Sequence, residues 1–213
     1  MKKSIFTLLM FLLFGMQTFA QQTKAKEVLD KTATNFRQAE GIKAEFEIKS
    51  FSKGHLAGQA SGVIQMKTDK FLLKTKESTI WFDGKTQWSY ISGSEEVNVS
   101  NPTAEELQGM NPYTLLYLYK KGYSSKLGAT KTFRGKQVYE VVLTATAKNK
   151  NLTGVVLYVT KDSYQPLYII AQQKDKSRSE ITVTAYQTGQ RFADSLFVFN
   201  KKQYPNTEII DLR

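Results

Sequence analysis

The sequence predicts a mainly β fold: one large antiparallel sheet, with helices packed on one of its faces. Three observations carry this. Apolar and polar residues alternate with a period of two over about ten segments separated by turn residues, which is the pattern of half-buried strands in a meander. Helical spacing is confined to one tract near the start and a short one in the middle. No internal repeat, low-complexity tract or linker divides the chain.

The first residues predict export. Lys2 and Lys3 precede an apolar run from Ile5 to Phe14, and small residues stand at Thr18 and Ala20. This is the layout of a signal peptide over residues 1–20, cleaved after Ala20, and it places the chain in the periplasm. The run is shorter than the ~20 residues of a membrane span. Residue 21 is Gln and not Cys, so the mature chain is not expected to be a lipoprotein itself. Losing Lys2 and Lys3 lowers the net charge from +11 to +9. Residues 21–213 have the length of one domain that buries its own core. The lysines are scattered, which favours a solvated face over a nucleic-acid patch, and export makes nucleic acid an unsuitable partner.

A helix is predicted from Thr23 to Gly41, with Ala25, Val28, Leu29, Thr32, Phe36 and Ala39 on one stripe. Strands follow. Ala44, Phe46 and Ile48 alternate with Glu45, Glu47 and Lys49. The strand from Leu56 to Lys67 carries Gly58, Ala60 and Gly62, small residues that suggest a bend or close approach by another element. Phe71 to Lys76, Thr79 to Phe82, Gln87 to Ile91 and Val97 to Ser100 continue the sheet. Asp83-Gly84 reads as a two-residue hairpin turn, from which Trp88 is expected inside and Trp81 outside.

The middle differs. Asn101-Pro102 and the pair Thr103/Glu106 offer two alternative helix starts, the second a capping box. A second short helix, Tyr113 to Lys121, is apolar on nearly every side, so it must be buried or meet a greasy partner. Four strands then run from Lys136 to Ala147, Leu152 to Thr160, Gln165 to Lys174 and Arg178 to Gln187. A Phe197-Val198-Phe199 segment and a short strand at Ile209-Ile210 close the chain.

Catalytic machinery is scarce. There is no Cys, which removes thiol chemistry and disulfides, and His55 is the only histidine, too few for a zinc site. No Gly-x-Ser-x-Gly motif or phosphate-binding glycine loop occurs. The carboxylate pairs Glu45/Glu47, Glu95/Glu96 and Glu105/Glu106 sit beside lysines or at turns and helix starts, where solvated charge is the better reading. No enzyme, metal or cofactor is expected; a carboxylate-based hydrolase is the weakest alternative.

The informative residues are apolar. One sheet face is expected to present Phe46, Ile48, Ile64, Met66, Phe71, Leu73, Ile80, Phe82, Trp88, Tyr90, Leu143, Leu157 and Ile169 as the wall of a ligand cavity. Val141, Val155, Leu167, Ile181 and Val183 belong to the same face. Few helices are available to cover so wide a sheet, and a curved sheet of that width leaves a cavity. Met110, Tyr113, Leu116 and Leu118 would form its lid.

The segment Phe82-Asp83-Gly84-Lys85-Thr86-Gln87-Trp88-Ser89-Tyr90 resembles the Asp-Gly-Lys-Thr-x-Trp-x-Tyr hairpin of the outer-membrane lipoprotein carrier proteins, the LolA-like family. The order of the remaining features is similar from Thr23 to Arg213. The resemblance implies an unclosed half-barrel of about eleven antiparallel strands with helices over the concave face. It also implies a monomeric periplasmic carrier of acylated lipoproteins or another amphiphile, loaded by an inner-membrane transporter and unloaded to an outer-membrane acceptor. A periplasmic sensor domain of the same fold, of the anti-sigma regulator kind, is the alternative. In the family an Arg often follows the second strand and latches the lid. Here the turn reads Lys67-Thr68-Asp69-Lys70, with Thr68 at that position and the two lysines as possible substitutes.

Overall fold

The computed structural model describes residues 22–103, 106, 107, 112–148 and 150–213. The expected signal peptide with its cleavage site, and Met110, expected in the lid, lie outside the described residues. Helix α1 spans residues 22–38. The strands are β1 (Ile42–Ser52), β2 (His55–Lys67), β3 (Lys70–Thr75), β4 (Ser78–Phe82), β5 (Gln87–Ile91), β6 (Glu96–Ser100), β7 (Tyr123–Leu127), β8 (Lys131–Phe133), β9 (Lys136–Ala145), β10 (Leu152–Thr160), β11 (Pro166–Gln173), β12 (Arg178–Gln187) and β13 (Glu208–Asp211).

They form a single sheet of 13 strands in the order β13-β6-β5-β4-β3-β2-β1-β12-β11-β10-β9-β7, with β8 beside β9. The sheet does not close, and α1 packs on one face, giving the expected half-barrel. The strand count of about eleven is corrected to 13, because β7 and β8 carry little signal. β7 reads Tyr-Ser-Ser-Lys-Leu and β8 has three residues. β13 adds to β6 in parallel.

The strand order dictates the paths of two connections. β6 and β7 are consecutive in sequence yet lie toward opposite ends of the sheet, and between them Pro112–Lys120 lies over its open side. β12 lies in the middle beside β1, and the chain after it must travel to β6 to deliver β13. It does so across the other face, where Phe197 and Phe199 bury against Leu72, Trp81 and Val97. Each face of the first half thus has its own core cluster.

Local chemistry explains the turns. Asp83 to Thr86 is a four-residue loop and not the two-residue turn expected. The Asp83 carboxylate accepts from the amides of Lys85 (2.9 Å) and Thr86 (2.8 Å), and Gly84 takes φ 100°. Trp81 consequently pairs directly with Trp88. Of the small residues in β2, Gly62 is required by a close approach: a Cβ there would come within 2.4 Å of the Lys74 carbonyl and 2.8 Å of Phe46 Cζ. Thr103 and Glu106 form the capping box, which settles the helix start in favour of Thr103. The Thr103 amide donates to Glu106 Oε2 at 2.7 Å, and the Glu106 amide returns to Thr103 Oγ1 at 3.3 Å.

Candidate apolar site and its strap

Strand register builds the concave wall. One row runs through Ala44, Ile64, Leu73 and Ile80, and the next through Ile42, Met66, Phe71 and Phe82. On the second half, Ile48 leads through Ile181, Ile169 and Leu157 to Val141. Phe46, Ile48, Ile64, Met66, Phe71, Leu73, Ile80, Phe82, Leu143, Leu157 and Ile169 are all brought into one apolar cluster.

Trp88 and Tyr90 are not part of it. They pack on the outer face with Trp81, Phe199 and Tyr204, and this corrects their expected place in the cavity. The inward positions of β5 are Gln87 and Ser89, which bond to each other at 2.9 Å. The apolar wall therefore ends at β4.

Two elements cover the wall. The stripe of α1 contributes Ala25, Val28 and Leu29. The second cover is Pro112–Lys120, where a short helix from Tyr113 to Lys121 is expected; it is a nine-residue 3-10 helix, here called the strap. Its Leu115, Leu116 and Leu118 are buried in the same cluster, whereas the Tyr113 side chain lies outside the described residues. Tyr119 donates its hydroxyl to Asp30 of α1, and Lys120 Nζ stands 3.8 Å from the same carboxylate. Burial, with Asp30 beside it, pushes the Tyr119 hydroxyl well above the ordinary phenol range, so it stays a donor. Sequence reasoning missed this contact, since Asp30 lies in no motif.

A mouth of about 450 Å³ opens between α1, the strap and two hairpin ends. It is lined by Phe36 and Arg37 of α1, Thr68 and Asp69 of the β2–β3 turn, Phe71, Phe82, Gly84, Leu107, and Thr114 and Tyr117 of the strap. Phe71 and Phe82 connect it to the concave wall. Thr68, where the resemblance leads one to expect a latching Arg, adopts φ 58°. The flanking lysines turn away from the strap: Lys67 and Lys70 clamp Asp194 at 2.7 and 2.9 Å, and Lys67 also donates to the Phe192 carbonyl. Among the described residues no group of His, Cys, Asp and Glu could hold a metal ion, and no helix is long and apolar enough to cross a membrane.

Comparison with known proteins agrees with this architecture. A protein of Thermus thermophilus, described as uncharacterized and conserved, superposes with a TM-score of 0.61 at 10% identity, covering 88% of this chain and 99% of that one. A domain from Vibrio parahaemolyticus named for outer-membrane lipoprotein sorting gives a TM-score of 0.51 at 12% identity, covering 86% and 99%. At such identities the likeness concerns the fold. No curated protein sequence matches. The profile of the outer membrane lipoprotein carrier protein LolA, however, matches residues 16–175, well over half of the chain. The chain belongs to the LolA family of outer membrane lipoprotein carrier proteins.

Proposed function

We propose that the chain is an exported carrier that shelters the acyl chains of a lipoprotein, or of a related amphiphile, against its concave wall. The signal peptide of residues 1–20 would deliver residues 21–213 to the periplasm as one domain. An inner-membrane transporter would load it and an outer-membrane acceptor unload it. The observation that supports this reading is the continuous apolar wall from β1 to β4 and β9 to β12, covered among the described residues by α1 and a strap with a mouth beside it. A nine-residue 3-10 helix has poorer hydrogen-bond geometry than an α-helix, so less is lost when it lifts.

The energetics suit a shuttle. Three acyl chains of ~15 methylenes, at ~0.8 kcal/mol per buried CH₂, amount to roughly 35 kcal/mol. Usable affinity saturates near ~20 kcal/mol. A strap that must be displaced from the wall offsets part of the gain and permits release.

The direct test is saturable uptake of a lipopeptide by the purified mature chain. Phe82→Asp, which places a carboxylate where the mouth meets the wall, should weaken uptake at least about ten-fold with the β-rich circular dichroism retained. Leu143→Asp, deeper in the wall, should act in the same direction. Absence of uptake across a panel of acylated ligands would end the carrier reading. In cells, loss of the protein should leave outer-membrane lipoproteins at the inner membrane.

A further inference from the structure

The mouth beside the strap carries two opposite charges. Among the described residues that line it, Arg37 and Asp69 are the only ionised ones. Arg37 comes from the last turn of α1, and Asp69 from the β2–β3 turn. Asp69 packs against the β4–β5 loop, since a Cβ on Gly84 would meet its Oδ2 at 2.9 Å. Among the described residues neither charge has an ion-pair partner: Arg37 Nη2 donates to Thr34 Oγ1 at 3.3 Å, and no cation lies within 4 Å of the Asp69 carboxylate. The lysines on either side of Asp69 are taken by Asp194. Phe36, Phe71, Phe82 and Leu107 supply the apolar part of the same lining.

We propose that this mouth holds the head group of a zwitterionic amphiphile of the phosphoethanolamine class, an inference that rests on the carrier reading and names its substrate. The phosphate lies on Arg37, whose planar fork matches two phosphate oxygens. The ammonium lies on Asp69, and the acyl chain runs past Phe36 onto Phe71 and Phe82. Asp69 decides the class. A chain with this positive balance attracts any anionic amphiphile, and Arg37 alone would accept one. A carboxylate in the same mouth disfavours a purely anionic head group and rewards one that carries its own cation. Both groups reach solvent, so the acyl chain supplies the affinity and the charges supply selectivity, up to about five-fold for each contact.

The test is displacement of a bound fluorescent fatty acid by lysophosphatidylethanolamine, lysophosphatidylglycerol and the free fatty acid, all with one chain length and below micelle formation. The wild-type chain should prefer lysophosphatidylethanolamine by about five-fold, with the preference narrowing at high salt. Asp69→Asn should bring lysophosphatidylglycerol level with it. Arg37→Gln should weaken both phospholipids and spare their order. No discrimination by the wild-type chain, or a ranking untouched by Asp69→Asn, overturns the head-group assignment and leaves the carrier intact. Failure of the wild-type chain to bind the fluorescent fatty acid or any of the three ligands overturns both.

Discussion

Trp81 and Trp88 face one another across β4 and β5 on the outer side of the sheet, with Phe199 and Tyr204 packed edge-on to Trp81 at 5.5 and 5.6 Å. They belong to the core cluster that the C-terminal segment completes, separate from the concave wall. A ligand beneath the strap therefore touches neither indole. Single-tryptophan variants are expected to give emission that acyl ligands do not change. A response from Trp88 would mean that the outer cluster rearranges on binding. The sequence reading had placed Trp88 inside, and the error is instructive. Alternation shows that Trp88 and Tyr90 share a face, but not which face that is. The decision lies with Gln87 and Ser89, which turn inside and share one hydrogen bond from Gln87 Nε2 to Ser89 Oγ, and with Phe197 and Phe199, more than 100 residues away, which cover the tryptophans outside. Nothing local to β5 announces a partner so distant.

The strap is an element whose burial its sequence announces and whose pitch it does not. Its run of Tyr and Leu satisfies helical spacing of either pitch, so composition does not separate an α-helix from a 3-10 helix. Topology explains why it must cross the open side, and topology depends on β7, a strand too polar to see. No Arg stands at Thr68, and the strap is tied elsewhere: Asp30 of α1 receives Tyr119 and faces Lys120. Asp30→Ala removes one charge-assisted hydrogen bond at a partly exposed site. It should lower amide-exchange protection over residues 112–120 by about ten-fold and speed ligand uptake. Leu116→Ala removes a fully buried leucine, a change that costs ~2–5 kcal/mol, and should loosen the strap further. Protection that neither variant nor ligand alters would mark the strap as a static part of the core.

At the scale of the whole molecule, the sheet is held as a half-barrel by two segments that cross it on opposite sides. Most of the strands were legible, because Ala44, Phe46 and Ile48, and the four long strands from β9 to β12, alternate cleanly against charged neighbours. Most of the wall followed from that alternation, whereas the mouth did not: Arg37, Asp69 and Tyr117 are far apart in sequence and meet only through tertiary packing. The outer crossing is fastened in the same non-local way. Lys67 and Lys70 at the β2–β3 hairpin grip Asp194, more than 120 residues later, at the start of the segment that buries Phe197. Hydrogen bonds from both ammonium groups, reinforced by their charge, hold the Asp194 carboxyl down to about 2. An unfolded aspartate titrates near ~3.9, so the folded form binds this proton less readily than the unfolded chain. The clamp's contribution to stability is therefore complete above about pH 4. It fades as pH falls and is gone once pH drops through about 2. Asp194→Asn should lower the denaturation midpoint at neutral pH, and the gap to the wild-type chain should close progressively between pH 4 and pH 2. Urea denaturation of both proteins across that range reads the gap directly. A gap of constant size would show that Asp194 acts through shape, and a gap absent at neutral pH would show that the aromatic cluster alone fastens the C-terminal segment.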